Sequence, residues 1–357
     1  MPSIKNTPED FVVEELPAYE PSGEGEHFFV RFTKRDLTTD VAIQRFARAL
    51  DVKARDVGVA GLKDKVAVTT QTISFPYKAG LETKVAELAL EGITVLDAAR
   101  HGNKLKTGHL HGNRFAILIK DIAPAQVPVI LEAFARIARE GIPNAYGEQR
   151  FGRAGDNADR ARRWLSGKEP PPRDPRQKRL MWSALQSAMF NEVLARRVTD
   201  GTWATCVAGD LVKRRDSGGL FVCTDVQADQ ERALRGEVSA TGPMFGLKMR
   251  DPEGPIYALE QGVLAEMLGD GVDMSLTKAI GEGTRRALRL WVEDLRAERE
   301  QDDSIRVYFV LPKGAYATTV ISSAIEGGIS DSAVNSVPAT GDSALNDPAA
   351  NGEEIHD

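Results

Sequence analysis

The pattern of apolar and polar positions predicts a mixed α/β unit over about the first 120 residues. Its strand segments are rich in β-branched and aromatic residues, and they are predicted at 11–15, 27–33, 66–75 and 114–120. The last of these is a continuous apolar run, which is typical of a strand buried on both faces. Apolar residues at helical spacing after Thr38 predict a helix to Leu50. A second helix is predicted at 127–139 and ends at Gly141.

A proline-rich segment at 169–175 is stiff and marks a candidate domain boundary. Beyond it, a long helix with an apolar side is predicted at 178–198. Short β-like pieces that alternate with turns are predicted from 209 to about 270. A charged helix is predicted at 284–300, and a final strand at 305–310.

Composition places the chain among globular proteins without a membrane segment. Its 357 residues are 42% hydrophobic and 27% charged, and this length is enough for two domains. No apolar run approaches the ~20 residues that span a bilayer, and the first ten residues lack the apolar core of a secretory signal. Cys206 and Cys223 provide neither a disulfide framework nor zinc spacing. We therefore expect a location in the reducing cytoplasm.

The net charge of −6 does not exclude a nucleic-acid partner, because the acidic excess lies at one end of the chain. Residues 327–357 hold six acidic and no basic residues, so the remainder balances to zero. Within that remainder, residues 150–179 hold ten Lys or Arg against four Asp or Glu. This segment could follow a phosphate backbone or could equally be a solvated linker.

Asp64 is the leading candidate for chemistry. It lies between Lys63 and Lys65, after a glycine turn and before the strand predicted at 66–75. A carboxylate held ionised by adjacent cations is available to a substrate, although a solvated Lys-Asp-Lys turn would look the same locally. Phosphate loops, dinucleotide fingerprints and a nucleophile elbow are absent from the sequence. Neither cysteine has a neighbouring histidine, so elimination also favours a carboxylate.

Histidines give no metal site by spacing. His109 and His111 are the only close pair, and no third ligand follows nearby. A structural or phosphate-contacting role is favoured for this pair, and neither a metal nor a cofactor is predicted.

Four separated blocks resemble the TruD family of tRNA pseudouridine synthases. They are PEDFVVEE at 8–15, AGLKDKVAVTTQ at 60–71, PNAYGEQRFG at 143–152 and LPKGAYAT at 311–318. The likeness extends over roughly residues 5–322 in family order. A surface turn alone would not recur inside so complete a pattern, which favours a functional role for Asp64.

The resemblance implies an α+β fold of two domains. A pseudouridine-synthase catalytic domain with a mixed β-sheet flanked by helices would comprise residues 1–154 and a returning segment, 291–326. An α/β domain characteristic of the TruD family would be inserted at 155–290. Residues 327–357 are expected to form a disordered acidic tail.

The implied activity is conversion of uridine to pseudouridine in tRNA, at position 13 of the D arm, on a uridine flipped out of its stack. Asp64 matches the essential aspartate of the family, and whether it attacks the base or the sugar stays open. Substrate contacts are implied for four residues: Phe11, Asn144, Tyr146 and Tyr316. Phe11 could instead anchor a strand in the core. Phenylalanine is usual in the family where Tyr146 and Tyr316 stand, and tyrosine keeps a stacking face.

Contacts to the RNA backbone are predicted for basic residues near these blocks. The candidates are Lys63, Lys65, Lys104, Lys106, Arg150, Arg153, Arg162 and Arg163. The predicted partner is tRNA, with no membrane and no obligate protein partner. The rival hypothesis is a non-catalytic RNA-binding protein or RNA chaperone on the same fold. A nucleoside hydrolase is disfavoured, because the aspartate clusters that hold its metal are absent.

Overall fold

The computed structural model describes residues 2–152, 154–269, 274–300 and 302–326. The strands in these ranges are β1 (Phe11–Pro17), β2 (His27–Arg35), β3 (Gly58–Val59), β4 (Val68–Pro76), β5 (Ile93–His101), β6 (Leu110–Ile119), β7 (Ile142–Pro143), β8 (Leu211–Arg214), β9 (Leu220–Val222), β10 (Val238–Met244), β11 (Thr284–Ala287), β12 (Arg289–Leu290), β13 (Glu293–Arg299) and β14 (Ile305–Pro312). The α-helices are α1 (Thr39–Leu50), α2 (Leu81–Ala86), α3 (Val127–Glu140), α4 (Asn157–Leu165), α5 (Pro175–Thr199), α6 (Val226–Leu234), α7 (Gly254–Leu268) and α8 (Ala317–Ile325).

An eight-stranded mixed sheet has the order β13-β14-β6-β1-β4-β2-β5, with β3 paired to β4. Strands β1 and β4 are parallel, and the other neighbours in this sheet are antiparallel. Strands β13 and β14 follow residue 290, so the sheet joins early and late parts of the chain. The predicted fold class, a mixed sheet with flanking helices, is confirmed.

Helices cover one face of this sheet in two groups. Helices α3 and α8 pack with β1, β6 and β14, whereas α1 and α2 pack with β2 and β4. Val13, Thr69 and Lys34 lie directly opposite one another across β1, β4 and β2. Opposite residues share a face of a sheet, so both clusters and this row of side chains lie on the same side.

The region between α4 and β12 contains a second body of packed elements. Its four-stranded sheet has the order β11-β10-β8-β9, and α5 packs against β10. Two buried ion pairs hold it: Arg197 with Asp210, and Arg285 with Glu260. A short ladder of β7 with β12 connects residues 142–143 to residues 289–290. The boundaries at 154 and 290 stay a prediction, and the tail at 327–357 lies outside the described residues.

One prediction of secondary structure and one prediction of burial were wrong. Residues 284–300 form β11, β12 and β13 instead of a charged helix, because pairing with β10, β7 and β14 overrides their helical propensity. The predicted strand at 114–120 belongs to β6, but only one of its faces is fully buried, with Phe115, Ile117 and Ile119 inward and Arg114 exposed. Helices α6 and α7 were also missed among the β-like pieces.

Candidate active site

Asp64 lies in the loop between β3 and β4, and Lys34 anchors its backbone. The Nζ atom of Lys34 donates hydrogen bonds to the carbonyl oxygens of Asp64, at 2.7 Å, and of Leu37, at 2.5 Å. Lys34 is 0% exposed. Burial lowers the pKa of Lys34 to about 8, while the charge of Asp64 raises it and the charge of Lys63 lowers it. The loop is therefore fastened to β2 by a buried ammonium.

Lys63 holds the same loop from the other side. Its backbone N–H donates to Oγ1 of Thr39 at 2.9 Å, and its Nζ donates to Oε2 of Glu15 at 2.6 Å. The side chains of Lys63 and Glu15 are both buried. The ammonium of Lys63 is engaged by Glu15 in this structure, and the predicted contact of Lys63 with the RNA backbone stays a prediction. Local sequence could not show that a carboxylate from β1 lies beneath the loop.

The carboxylate of Asp64, unlike its backbone, faces the surface, and 55% of its side chain is exposed. Its Oδ2 atom lies 3.2 Å from Nζ of Lys5. The same Nζ lies 4.0 Å from the centre of the Phe11 ring. Lys5 thus holds the carboxylate in place by charge while resting on an aromatic face. Sequence reasoning missed Lys5, although it stands just before the PEDFVVEE block.

Phe11 is a core residue. It is 1% exposed, and its ring meets that of Phe115 edge-on, with centroids 6.1 Å apart. In this structure the ring supports Lys5, and the predicted substrate contact of Phe11 stays a prediction. The alternative reading, a strand anchor, agrees with this burial.

A second group of predicted residues gathers around Arg286, which sequence reasoning also missed. Its guanidinium donates to the side-chain oxygen of Asn144 at 2.5 Å and to the main-chain oxygen of Asn144 at 3.2 Å. The amide nitrogen of Asn144 donates to the carbonyl of Ala287 at 2.8 Å. Asn144 is 8% exposed, and its amide already bonds within the protein. Asn144 thus positions Arg286 in this structure, and its predicted contact with the substrate stays a prediction.

Tyr146 and Tyr316 both act on Arg286. The guanidinium lies 4.0 Å from the ring centre of Tyr146, a cation–π contact. Tyr316 is half-buried and is the N-cap residue of α8. Burial lowers the pKa of Arg286, and interactions with Tyr146 and Tyr316 oppose that effect. Both tyrosines therefore lie near one cation, and their roles in substrate binding stay predictions.

The segment with Lys104 and Lys106 packs beside the Asp64 loop. A side chain at Gly58 would place its Cβ 2.3 Å from the carbonyl oxygen of Leu105, so this close approach requires glycine. The N–H of Gly108 also donates to the carbonyl of Ala60 at 2.8 Å. Two predicted backbone contacts are thus placed next to the loop that carries Asp64.

The other basic candidates differ in whether groups of the protein already bond their side chains. Arg150 bonds the hydroxyl groups of Ser183 and Ser187 in α5. Arg162 pairs with Asp159 and Arg163 with Glu169, and Arg153 lies outside the described residues. Four candidates have no ion pair within 4.0 Å in the described part of the chain: Lys65, Lys104, Lys106 and Arg150.

Alternative chemistries gain no support from the described ranges. They contain no group of three or more His, Cys, Asp or Glu that could hold a metal ion. Burial raises the pKa of Cys206 to about 12 and that of Cys223 to about 11, so both thiols stay protonated. No helix in those ranges is long and apolar enough to cross a membrane.

Comparison with known proteins identifies the family of the chain. The family described as tRNA pseudouridine synthase D (TruD) matches residues 2–161 and 173–323. A tRNA pseudouridine synthase D from an Anaeromyxobacter species is 46% identical over 336 residues, covering 91% of this chain and 93% of the relative. One from Thermus thermophilus is 40% identical over 322 residues, covering 89% and 87%.

A solved structure shows the same fold. The crystal structure of a Methanosarcina mazei protein assigned to TruD superposes with a TM-score of 0.72 at 24% identity, covering 91% of this chain and 94% of that one. Together, these matches define an RNA-modifying isomerase, a tRNA pseudouridine synthase. Within that class, the chain belongs to the TruD family.

Proposed function

We propose that the chain converts uridine 13 of the tRNA D arm to pseudouridine and that Asp64 is the nucleophile. The observation that carries this proposal is the contrast within one residue: the backbone of Asp64 is anchored by Lys34, while its carboxylate is exposed. A nucleophile must be accessible and also held in position, and this arrangement meets both needs.

The bond changes need one ionised oxygen and a mobile base. The N1–C1′ bond of uridine breaks, the uracil turns over, and a C5–C1′ bond forms. The hydrogen at C5 leaves as a proton, and N1 gains one, so the product is an isomer of the substrate. An oxygen of Asp64 adds either to the base or to C1′ of the sugar, and this bond breaks again before the product leaves, so that the carboxylate is regenerated.

The uridine must leave its stack to reach Asp64, and half-buried aromatic rings can hold it. We assign this role to Tyr146 and Tyr316. A base stacked on an aromatic ring contributes about 1–3 kcal/mol to binding. Arg286 lies over Tyr146 and is held there by Asn144.

The division into 1–154 with 291–326 as catalytic domain, and 155–290 as an insertion, belongs to this proposal. It is supported by β13 and β14, which lie in the same sheet as β1 to β6. A cytoplasmic location is supported by the tRNA substrate.

Tritium release tests the reaction. The protein is incubated with tRNA that carries tritium at C5 of uridine, and tritium in water is measured together with the integrity of the RNA chain. We expect one tritium released per tRNA without strand cleavage, and none from a tRNA with cytidine at position 13. Normal release from the cytidine variant would contradict the position. Tight tRNA binding without any release would instead favour the non-catalytic RNA-binding protein.

Replacing Lys104 and Lys106 by alanine should weaken tRNA binding without slowing saturated turnover. For each phosphate that the protein no longer neutralises, the dependence of log affinity on log salt should become shallower by about 0.7–0.9. The measurement is tRNA affinity from 50 to 300 mM salt, about the range where counterion release is large. Replacing Lys84 by alanine is the control, since Lys84 is an exposed lysine on α2. An unchanged slope in the double variant would remove both residues from the phosphate contacts.

A further inference from the structure

A basic cavity lies where the two sheets approach each other. It has a volume of about 610 Å³ and is lined by residues from β1, β6, β8, β10, β12, β13 and β14. This volume falls within the roughly 300–1,000 Å³ of pockets that hold small ligands. Among the described residues, its lining includes Asn144 but neither Asp64 nor any of the basic residues that the sequence indicated.

Basic residues outnumber acidic residues around this cavity. Among the described residues, Lys213, Arg214, Arg215 and Arg289 line it, against one acidic residue, Glu293. Arg215 pairs with Glu293, and Arg214 pairs with Asp216 at the exposed rim. Within the described ranges, neither Lys213 nor Arg289 has a carboxylate within 4.0 Å. The cavity therefore holds two cations that are not in a close ion pair, although the more distant charge of Glu140 also acts on Arg289.

Arg289 is the deeper of these cations. It is 7% exposed, and its guanidinium lies 3.8 Å from the ring centre of Trp291. In the described part of the chain, its guanidinium donates to two main-chain oxygens, those of Glu140 at 2.5 Å and Ala233 at 3.3 Å. Burial lowers the pKa of Arg289 to about 10, so it stays charged at neutral pH. Carbonyl dipoles offset only part of the cost of burying such a charge, and a bound anion would offset the rest.

We propose that this cavity binds a backbone phosphate of the tRNA outside the reacting nucleotide, with Lys213 and Arg289 as its cationic contacts. The identity of the ligand rests on the proposed function, since a tRNA substrate brings a phosphate at every nucleotide. A guanidinium fits phosphate oxygens in a fixed geometry, and a lysine adds a mobile charge. Trp291, which supports Arg289, keeps the guanidinium plane oriented in the cavity.

Lys213→Gln tests the inference directly, because Lys213 is only half-buried and its loss leaves no buried charge unpaired. We expect the Kd for tRNA to rise about fivefold near 0.1 M salt, with a salt slope shallower by about 0.7–0.9. Turnover at saturating tRNA should be unchanged. Lys84→Gln is the matched control, since it removes an exposed lysine outside the cavity. A Lys213→Gln protein with wild-type Kd and slope would overturn the proposal.

Arg289→Gln provides a second variant, checked for folding by its thermal melting curve. If it melts like the wild type, its Kd should rise by at least as much as that of Lys213→Gln, and a wild-type Kd would count against the cavity. If it does not fold, Lys213→Gln alone decides.

Competition by inorganic phosphate separates the sources of the anion. If inorganic phosphate competes with tRNA for the wild type but not for Lys213→Gln, the cavity binds a free phosphate. If inorganic phosphate does not compete with tRNA for the wild type, the cavity binds phosphate only as part of a polynucleotide.

These binding measurements do not depend on turnover. A wild-type protein that releases no tritium but loses affinity on Lys213→Gln would refute the proposed reaction and keep the phosphate site. The reverse result, normal release with no effect of either cavity variant, would refute the site alone.

Discussion

Tritium release should fall by roughly 10⁴-fold or more when Asp64 is replaced by asparagine, which is the scale expected when an enzyme loses its nucleophile. Asparagine has the same shape as aspartate but carries no ionised oxygen to add to the base or sugar. The bonds that hold the loop use the backbone carbonyl of residue 64 and the neighbouring Lys63, so they survive the change. Affinity for tRNA and melting temperature should therefore stay close to wild type.

Asp40→Asn is the matched control for this change. Asp40 is an exposed aspartate in the first turn of α1, and its replacement removes the same charge without touching the Asp64 loop. Single-turnover release should be measured with enzyme in excess over tRNA, so that product release does not mask the chemical step. More than about 1% residual release in Asp64→Asn would mean that another group forms the covalent bond, because a factor of 10² corresponds to only about 2.7 kcal/mol.

Local patterns were sufficient where neighbours in sequence decide the structure. The Thr38 cap of α1 and the end of α3 at Gly141 are set by side-chain and backbone preferences within a few residues. The strand that follows Asp64 was also visible, because β-branched residues dominate it. The position of Asp64 at a loop–strand junction thus followed from the sequence, while its importance came from the order of the four family blocks.

Contacts between distant residues account for what the sequence did not show. Lys34 lies 30 positions before the carbonyl that it holds, and Arg286 lies 142 positions after Asn144. Residues this far apart share no periodic pattern, so a single sequence does not show that they are in contact. The same cause explains residues 284–300, where alanine, leucine, arginine and glutamate favour a helix locally but ladders with β10, β7 and β14 decide the outcome.

Replacing Lys34 by methionine should lower turnover by roughly 10²-fold, because a small displacement of a reacting group costs about that much. Methionine fills similar space but donates no hydrogen bond, so the carbonyl oxygens of Asp64 and Leu37 lose their partner. Each unsatisfied carbonyl costs about 1–3 kcal/mol, and the loop should shift to find another donor. The effect should appear in kcat, with KM for tRNA changed less, since Lys34 is buried and does not contact RNA.

A distinct pH dependence separates this role from simple structural support. The pKa of Lys34 in the folded protein is about 8, below the ~10.4 of an unfolded lysine. Between these values the unfolded chain binds more protons, so the Lys34 contribution to the free energy of unfolding rises with pH. Turnover should nevertheless fall above pH 8, because the positive charge beneath Asp64 is lost. Unfolding at alkaline pH would not explain this loss of turnover, because the Lys34 contribution to the free energy of unfolding increases over the same pH range.

Turnover from pH 7 to 9 in three proteins decides whether Lys34 is the group that titrates. The wild type should lose activity above pH 8, and Lys84→Met should show the same decline. Lys34→Arg should keep its activity to a higher pH, since a guanidinium stays protonated throughout this range. The other charges that act on Lys34 are those of Asp64 and Lys63, and Lys63 is paired with Glu15. A decline at the same pH in Lys34→Arg would assign the titration to a different group and leave Lys34 as a purely structural anchor.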